Sequence, residues 1–125
     1  TGGKERNIMI VKVEGKAAVV ESSEHIVTDR QSALDLMMTI KAETGCERMA
    51  VNKEAITEDF FILSTGLAGE ILQMFVNYRV KFAVFGDFSG YTSKPLKDFI
   101  YESNQGSSVF FAADRQEAVD WLLKG

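Results

Sequence analysis

The sequence predicts an α/β fold with a mixed sheet of about five strands and four helices. The first observation behind this prediction is that short runs of branched apolar residues alternate with segments of helical periodicity along nearly the whole chain. The second is that two strand-like runs come first, which is typical of a hairpin. A hairpin followed by alternating helix and strand implies that the later strands run parallel through right-handed crossovers, with helices covering the sheet.

The hairpin and the first helix have clear local signals. Residues 8–13 and 17–20 are rich in branched residues, and Gly15 between them suits a tight reversal. Thr28 begins a stretch with capping-box spacing, apolar residues then recur at helical spacing, and Gly45 offers a left-handed stop. The first helix is therefore predicted between Thr28 and Gly45.

The rest of the chain continues the alternation. Three further strands are predicted at short apolar runs, at residues 49–51, 80–85 and 109–112. Each later helix is predicted to begin at a side chain that can accept a hydrogen bond from the free N–H groups of the first turn. These side chains are Ser64 or Thr65 for the second helix, Ser93 for the third and Asp114 for the fourth.

Length and composition indicate one domain. The chain has 125 residues, of which 46% are hydrophobic, and it contains no internal repeat, low-complexity stretch or linker. A single α/β domain is therefore predicted over residues 7–125. Residues 1–6 are predicted to be disordered or vector-derived, because Thr1-Gly2-Gly3 has no initiator methionine and resembles a remnant of processing or cloning.

Charge and composition argue against several classes of partner. A net charge of -4 and scattered Lys and Arg residues provide no field that would hold a polyanion, so nucleic acid is not expected. No apolar run approaches the ~20 residues of a membrane span and no signal peptide is recognised, so a cytoplasmic protein without membrane contact is expected. Cys46 is alone, and neither a P-loop nor a Gly-x-Gly-x-x-Gly pattern is present, so no metal and no cofactor are predicted.

The start of the second helix is the first candidate binding site. Ser64 and Thr65 can cap the free N–H groups, and a helix start that also contains small residues such as Gly66 accepts an anion or a phosphorylated hydroxyl. Gly69 costs ~1 kcal/mol against alanine within a helix, which indicates a backbone brought close to the sheet or a ligand, and close packing is favoured. Glu70 shares a polar stripe with Gly66, which is either a solvated helix edge, a polar lining or a subunit contact, and the solvated edge is favoured.

The loop after the fourth predicted strand is the second candidate. Asp87 follows Gly86 at the end of a buried strand, where ligands bind in open α/β sheets, outside the carboxyl ends of the strands. Ser89 and Tyr91 follow in the same loop and could converge with the two hydroxyls of the second helix. The alternative is that Asp87 and Ser89 make only the hydrogen bonds of a turn.

One stretch of the chain resembles a known regulatory family. The segments "LSTGLAGEILQMF" and "VKFAVFGD", together with the order of strands and helices, resemble the STAS domain (sulfate transporter and anti-sigma factor antagonist), whose second helix opens with Asp-Ser-Ser/Thr-Gly-Leu. In regulatory members of that family a kinase phosphorylates the hydroxyl just before the glycine, a position that corresponds to Thr65. Leu63 stands where the family has its aspartate. The resemblance implies a STAS-like fold and makes Thr65, with neighbouring Ser64, a candidate phosphorylation site.

A longer resemblance covers nearly the whole chain from about Asn7. The segments "FFILSTGLAGEILQMFVNYRVKFAVFGDFS" and "LKDFIYESNQG" are similar to the bacterial domain-of-unknown-function family 4180. These segments are long and specific. The family brings no activity with it, so this resemblance implies membership and a fold, and no reaction.

The expected function is that of a regulatory or binding module. The two candidate sites are expected to recognise a partner protein or a small anionic ligand, with phosphorylation as a switch. One alternative is a small hydrolase or transferase that uses Asp87, Glu70 and the hydroxyls; it is less favoured, because the single histidine, His25, lies in a polar loop and forms no catalytic spacing. The chain is expected to be a monomer or a homodimer, the latter built through aromatic surface residues. Those residues are Phe88, Tyr91 and Tyr101.

Overall fold

The computed structural model describes residues 9–124 and has an α/β fold with a five-stranded mixed sheet and four helices. The strands are β1 (Met9–Glu14), β2 (Ala17–Ser22), β3 (Arg48–Asn52), β4 (Lys81–Phe85) and β5 (Val109–Ala112). The helices are α1 (Arg30–Thr44), α2 (Leu67–Asn77), α3 (Lys94–Gln105) and α4 (Arg115–Leu123). The predicted fold class and the order of elements are confirmed. The prediction for residues 1–6 lies outside the described residues.

The strands lie in the sheet in the order of the sequence. β1 pairs with β2 antiparallel, and β2 to β5 are parallel neighbours. From β2 to β5, each strand lies on the same side of the strand before it. Because the crossovers between these parallel strands are right-handed, α1, α2 and α3 lie on one face of the sheet. α4 follows the last strand and packs on the opposite face, against β2, β3, β4 and β5.

Side chains of the central strands alternate between these two faces. In β4, Phe82 and Val84 lie in the core beneath α1 to α3, whereas Ala83 and Phe85 lie in the core beneath α4. Ala17 and Ala50 continue the alanine surface under α4. Small side chains at these positions allow a single helix to approach the sheet closely.

Asn104 closes the outer edge of β5. Its Nδ2 donates to Phe111 O at 3.0 Å, and its Oδ1 accepts from Phe111 N at 2.7 Å. Ser108 O accepts from Phe82 N in β4, and Ala112 O accepts from Gly86 N directly after β4. The N–H and C=O groups of Phe111, between these two residues, therefore face away from the sheet. Asn104 therefore takes the place of a further strand at this residue and blocks edge-to-edge pairing there.

The start of α1 differs from the prediction by one residue. Its N-cap is Asp29 and not Thr28, because Asp29 Oδ1 accepts from Ser32 N at 2.7 Å while Ser32 Oγ accepts from Asp29 N at 3.0 Å. This reciprocal pair has capping-box geometry with serine at the third helical position. The predicted caps of α3 and α4, Ser93 and Asp114, are confirmed.

Candidate functional site

The loop after β4 lies at the carboxyl edge of the parallel strands. Gly86 N donates to Ala112 O at 3.1 Å, so β4 stays paired with β5 up to this residue. Gly86 has φ 153°, and a Cβ atom built on it would lie 2.8 Å from Lys53 Cβ. Only glycine fits here, and its lack of a side chain allows Lys53, the first residue after β3, to lie directly against the loop.

Asp87 begins the loop with a turn hydrogen bond. Its Oδ1 accepts from Ser89 N at 2.9 Å. Hydrogen bonds from Ser89 hold the pKa of Asp87 below its ordinary value, and the nearby charge of Lys53 acts in the same direction. Asp87 is therefore ionised at neutral pH and can accept hydrogen bonds or face a cation, but it is a poor proton donor.

Tyr91 joins the loop to the segment between β3 and α2. Its hydroxyl donates to Glu58 Oε1 at 2.9 Å, and Lys53 Nζ lies 3.4 Å from the same oxygen. The Tyr91 ring stacks on Phe61, with centroids 5.1 Å apart. Burial raises the pKa of Tyr91 well above its ordinary value, and the Glu58 carboxylate adds to this. The phenol is therefore a hydrogen-bond donor and not a base.

Sequence reasoning missed Lys53 and Glu58. Lys53 lies just after β3, as Asp87 lies just after β4. The rule that ligands bind outside the carboxyl ends of the strands selected Asp87, and it would also have selected Lys53. Glu58 carries no such signal. It lies in a 3-10 turn, Glu58–Phe61, that can be assigned to the loop only once the fold brings it to Tyr91.

Two clefts open beside Tyr91 and Asp87. The first, of about 290 Å³, we name the Phe88 cleft. It is lined by Phe88, Ser89, Tyr91, Leu96, Lys97 and Ile100. The second, of about 480 Å³, we name the Asp87 cleft, and its ionisable lining residues are Asp87 and Glu117. The two clefts share Phe88 and Ser89 and are therefore adjacent.

The Phe88 cleft is apolar with a basic rim. Leu96 is buried, and Ile100 and Phe88 are half-buried against the core. Lys97 is exposed and has no ion-pair partner among residues 9–124. A basic group at the mouth of an apolar cleft can form an ion pair with an acidic group of a ligand that binds in the cleft.

The start of α2 differs from the prediction. The helix begins at Leu67, because Gly66 has φ 78° and Ser64 and Thr65 belong to the 3-10 turn Leu63–Thr65. Thr65 Oγ1 lies 2.8 Å from Asp59 O and 2.8 Å from Ile62 O, and it accepts from Leu67 N at 3.2 Å. Its hydroxyl holds the turn together and also accepts the first N–H of α2, although Gly66 and not Thr65 occupies the N-cap position. Ser64 is exposed, and its side chain makes no hydrogen bond among the described residues.

Among the described residues, hydrogen bonds link the two candidate sites through the Glu58–Phe61 turn. Glu58 binds the Tyr91 hydroxyl, while the carbonyl of the next residue, Asp59, accepts from Thr65. Within residues 9–124 no hydrogen bond or ion pair joins Ser64, Thr65 or Glu70 directly to Asp87, Ser89 or Tyr91. The loop residues therefore form one cluster with Lys53 and Glu58, and the α2 start is its neighbour.

Close packing does not explain why residue 69 is a glycine. It is exposed, as is Glu70 beside it, and a Cβ atom built on Gly69 meets no atom within 4 Å. The expectation that the backbone of α2 approaches the sheet at this residue was therefore wrong. Glycine at this position weakens the helix relative to alanine.

Gly69→Ala is expected to raise the free energy of unfolding by about 0.5–1 kcal/mol, because alanine restricts the unfolded chain and meets no obstacle in the helix. Urea unfolding followed by circular dichroism measures the change. Gly66→Ala is the control, since its φ of 78° disfavours alanine, and it should lower the stability. A loss of stability in Gly69→Ala would contradict the structure around α2.

Two of the three aromatic residues expected at the surface pack against the core. Phe88 and Tyr91 are half-buried and pack around Phe61, with ring centroids 6.0 Å and 5.1 Å from it. Tyr101 is 68% exposed. The aromatic surface on which the homodimer hypothesis was based therefore reduces to Tyr101.

The described residues do not form a catalytic arrangement of the kind that the enzyme alternative requires. The described residues contain no hydrogen bond between Glu70 and Asp87 and none from a serine or threonine to His25, which is exposed. They also contain no group of three His, Cys, Asp or Glu residues arranged to hold a metal ion. The ionised Asp87 and the protonated Tyr91 suit recognition of a ligand.

A family model described as "Domain of unknown function (DUF4180)" matches residues 12–122. The matched range contains β2 to β5, the first three helices, α4 except its last residue, and both clefts. A search of curated proteins found no match. None of the described helices combines the length and apolar character needed to cross a membrane. Since the model matches well over half of the sequence, the chain belongs to the DUF4180 family.

Proposed function

We propose that the domain acts in the bacterial cytoplasm as a regulatory binding module, and that it recognises a partner protein through the loop after β4. The observation that carries the proposal is the Phe88 cleft, an apolar depression of about 290 Å³ with Lys97 at its rim. One apolar side chain of a partner would fill it, and burial of such a side chain contributes about 1.5–3 kcal/mol. A central apolar anchor with a polar rim is the usual arrangement of a protein interface.

The charges around the loop define the partner further. Asp87 and Glu117 line the neighbouring Asp87 cleft, and Glu58 lies behind Tyr91. Lys53 is already engaged with Tyr91, so this side of the surface is acidic. The partner segment should therefore carry a basic or amide group facing Asp87, an apolar residue in the Phe88 cleft, and an acidic group facing Lys97.

A small anion at the α2 start is the second candidate. The N–H groups of Ala68 and Gly69 have no acceptor among the described residues, and no side chain covers Gly69. Such groups at the positive end of a helix favour an anion or a phosphoryl group on a neighbouring hydroxyl. Ser64 is the more accessible acceptor of phosphate, because Thr65 would first have to release the carbonyls that it binds.

The partner proposal is tested by affinity capture with matched variants. Immobilised wild-type protein, Lys97→Glu and Lys124→Glu are exposed to an extract of the source cells, and the bound proteins are quantified by mass spectrometry. Both lysines are exposed, but Lys124 follows α4 on the opposite face of the sheet, where its carbonyl accepts from Arg48 Nη1 of β3 at 3.1 Å. We expect a protein that binds wild type and Lys124→Glu equally and binds Lys97→Glu at least about tenfold less, because charge reversal at the rim opposes an acidic group.

Equal capture by all three proteins would contradict a partner at the Phe88 cleft. The switch is tested separately by the intact mass of the protein after incubation with ATP and the same extract, with peptide mapping. A phosphoryl group on Ser64 or Thr65 supports regulation at the α2 start. An unchanged mass rejects it without affecting the cleft.

A further inference from the structure

We propose that Glu58, which lies outside the Phe88 cleft, makes the cleft selective for an apolar group by holding the Tyr91 hydroxyl away from it. This role rests on the proposed function, because it concerns the same surface. Tyr91 lines the cleft, whereas Glu58 and Lys53, the two side chains that contact its hydroxyl, are not among the lining residues. Tyr91 therefore presents its ring to the cleft, and its hydroxyl is already in use.

The contacts of Tyr91 fix the orientation of its ring. The hydroxyl donates to Glu58, whose Oε1 and Oε2 lie 2.9 Å and 3.2 Å away. It accepts from Lys53 Nζ at 3.4 Å, and the same ammonium lies 4.9 Å from the ring centroid. The ring also stacks on the buried Phe61. Because a hydrogen bond to a charged acceptor is stronger than one between neutral groups, Glu58 decides where the hydroxyl points.

Glu58 can act on Tyr91 without touching a ligand. It is exposed and begins the Glu58–Phe61 turn, so one turn supplies both the carboxylate and the aromatic ring that hold Tyr91. Among the described residues, the side chain of Glu58 forms hydrogen bonds only with Tyr91. A substitution of Glu58 therefore acts on Tyr91 first and leaves the other contacts of the fold intact.

The rest of the cleft offers few partners to a polar group that enters it. Ser89 is engaged by Asp87, whose carboxylate accepts hydrogen bonds from its N–H, at 2.9 Å, and from its hydroxyl. Lys97 lies exposed at the rim, and the remaining lining residues are apolar. A hydroxyl buried among them would lack a partner, which opposes binding. The cleft therefore suits an apolar anchor, such as a leucine or phenylalanine side chain, and disfavours a serine or tyrosine side chain.

Two small carboxylates that differ by one hydroxyl test this selectivity. Phenylpropionate and its para-hydroxy derivative each carry an aromatic ring for the cleft and a carboxylate for Lys97. The amide NMR shifts of Phe88 and Ser89 during titration give the two dissociation constants. The ring resonances of Tyr91 report its orientation in the same samples.

Three variants isolate the role of Glu58. Glu58→Ala removes the acceptor of the Tyr91 hydroxyl, and Glu58→Gln retains an acceptor oxygen without the charge. Asp59 is exposed in the same turn, and its side chain makes no hydrogen bond among the described residues, so Asp59→Ala is the matched control. Circular dichroism confirms that each variant is folded.

We expect the wild type, Glu58→Gln and Asp59→Ala to bind phenylpropionate at least about fivefold more tightly than its hydroxy derivative, because the added hydroxyl loses water without gaining a partner. In Glu58→Ala, the affinity for phenylpropionate should fall at least about fivefold and the preference to less than about twofold, since Tyr91 no longer forms a fixed apolar wall. The Tyr91 ring resonances should shift most in Glu58→Ala.

A Glu58→Ala variant with the affinities of the wild type would overturn this role of Glu58 and leave the cleft itself in place. A Glu58→Gln variant without the preference would overturn it as well, because the hydrogen bond would then not be its cause. The same holds for a wild type that binds both carboxylates equally or binds neither. The proposed function is judged separately, by the capture of a partner protein with Lys97→Glu and its control.

Discussion

Replacement of Phe111 by alanine is expected to lower the free energy of unfolding by about 3–5 kcal/mol. The Phe111 side chain is buried under α3, and its ring lies 6.4 Å from Phe60, 5.8 Å from Phe88 and 6.1 Å from Phe99. Alanine would leave a cavity at the centre of this cluster, directly behind the Phe88 cleft. Urea unfolding monitored by circular dichroism measures the loss.

Phe110→Ala is the matched control for this change. Phe110 precedes Phe111 in β5 but faces α4, where it stacks on Trp121 with centroids 5.2 Å apart. It is only half-buried, so its truncation should cost less. In amide NMR spectra, Phe111→Ala should shift the resonances of Phe88 and Tyr91, and Phe110→Ala those of α4. The same set of shifted resonances in both variants would contradict the division of the core into two faces.

Gly86→Ala is expected to destabilise the domain by about 2–4 kcal/mol, through backbone strain and a steric clash. The φ of 153° is one that residues with a side chain rarely adopt, and the new methyl group would lie 2.8 Å from Lys53 Cβ. To relieve the contact, Lys53 must move away from Tyr91. Thermal and urea unfolding measure the loss of stability.

Gly90→Ala is the control in the same loop. Gly90 has no positive φ, and a Cβ atom built on it meets nothing within 4 Å, so alanine should change the stability by less than about 1 kcal/mol. If Gly86→Ala were as stable as Gly90→Ala, the close approach of Lys53 to the loop would be wrong. The candidate site would then lose the contact that joins its two segments.

The elements that local signals predicted are those whose causes are local. Gly15 and Gly45 have φ angles of 61° and 75°, and each ends an element because glycine adopts such angles without penalty. Ser93 and Asp114 cap the next N–H groups in the chain and need no tertiary partner. The start of α1 was misplaced by one residue because Thr28 and Asp29 are both good caps.

The candidate site was only partly accessible to the same reasoning. Asp87, Ser89 and Tyr91 follow a buried strand, so the sheet-edge rule places them at the carboxyl edge, and the structure has them there. The α2 start was misjudged because Gly66 in a left-handed conformation separates the hydroxyls from the helix. A glycine in a helical segment does not indicate whether its position is buried or exposed. For this reason Gly69 was assigned to close packing.

The sequence by itself determined the fold class, the order of the strands and helices and the loop that follows β4, because periodicity, caps and turns act over a few residues. It also indicated the family, through the resemblance of two long segments. Only the tertiary structure decided which face α4 covers, which sheet edge Asn104 closes, and which side chains meet at Tyr91. Lys53 and Glu58 lie 38 and 33 residues from Tyr91 in the chain. Contacts at such separations depend on how the strands are arranged in the sheet, and no local pattern encodes them.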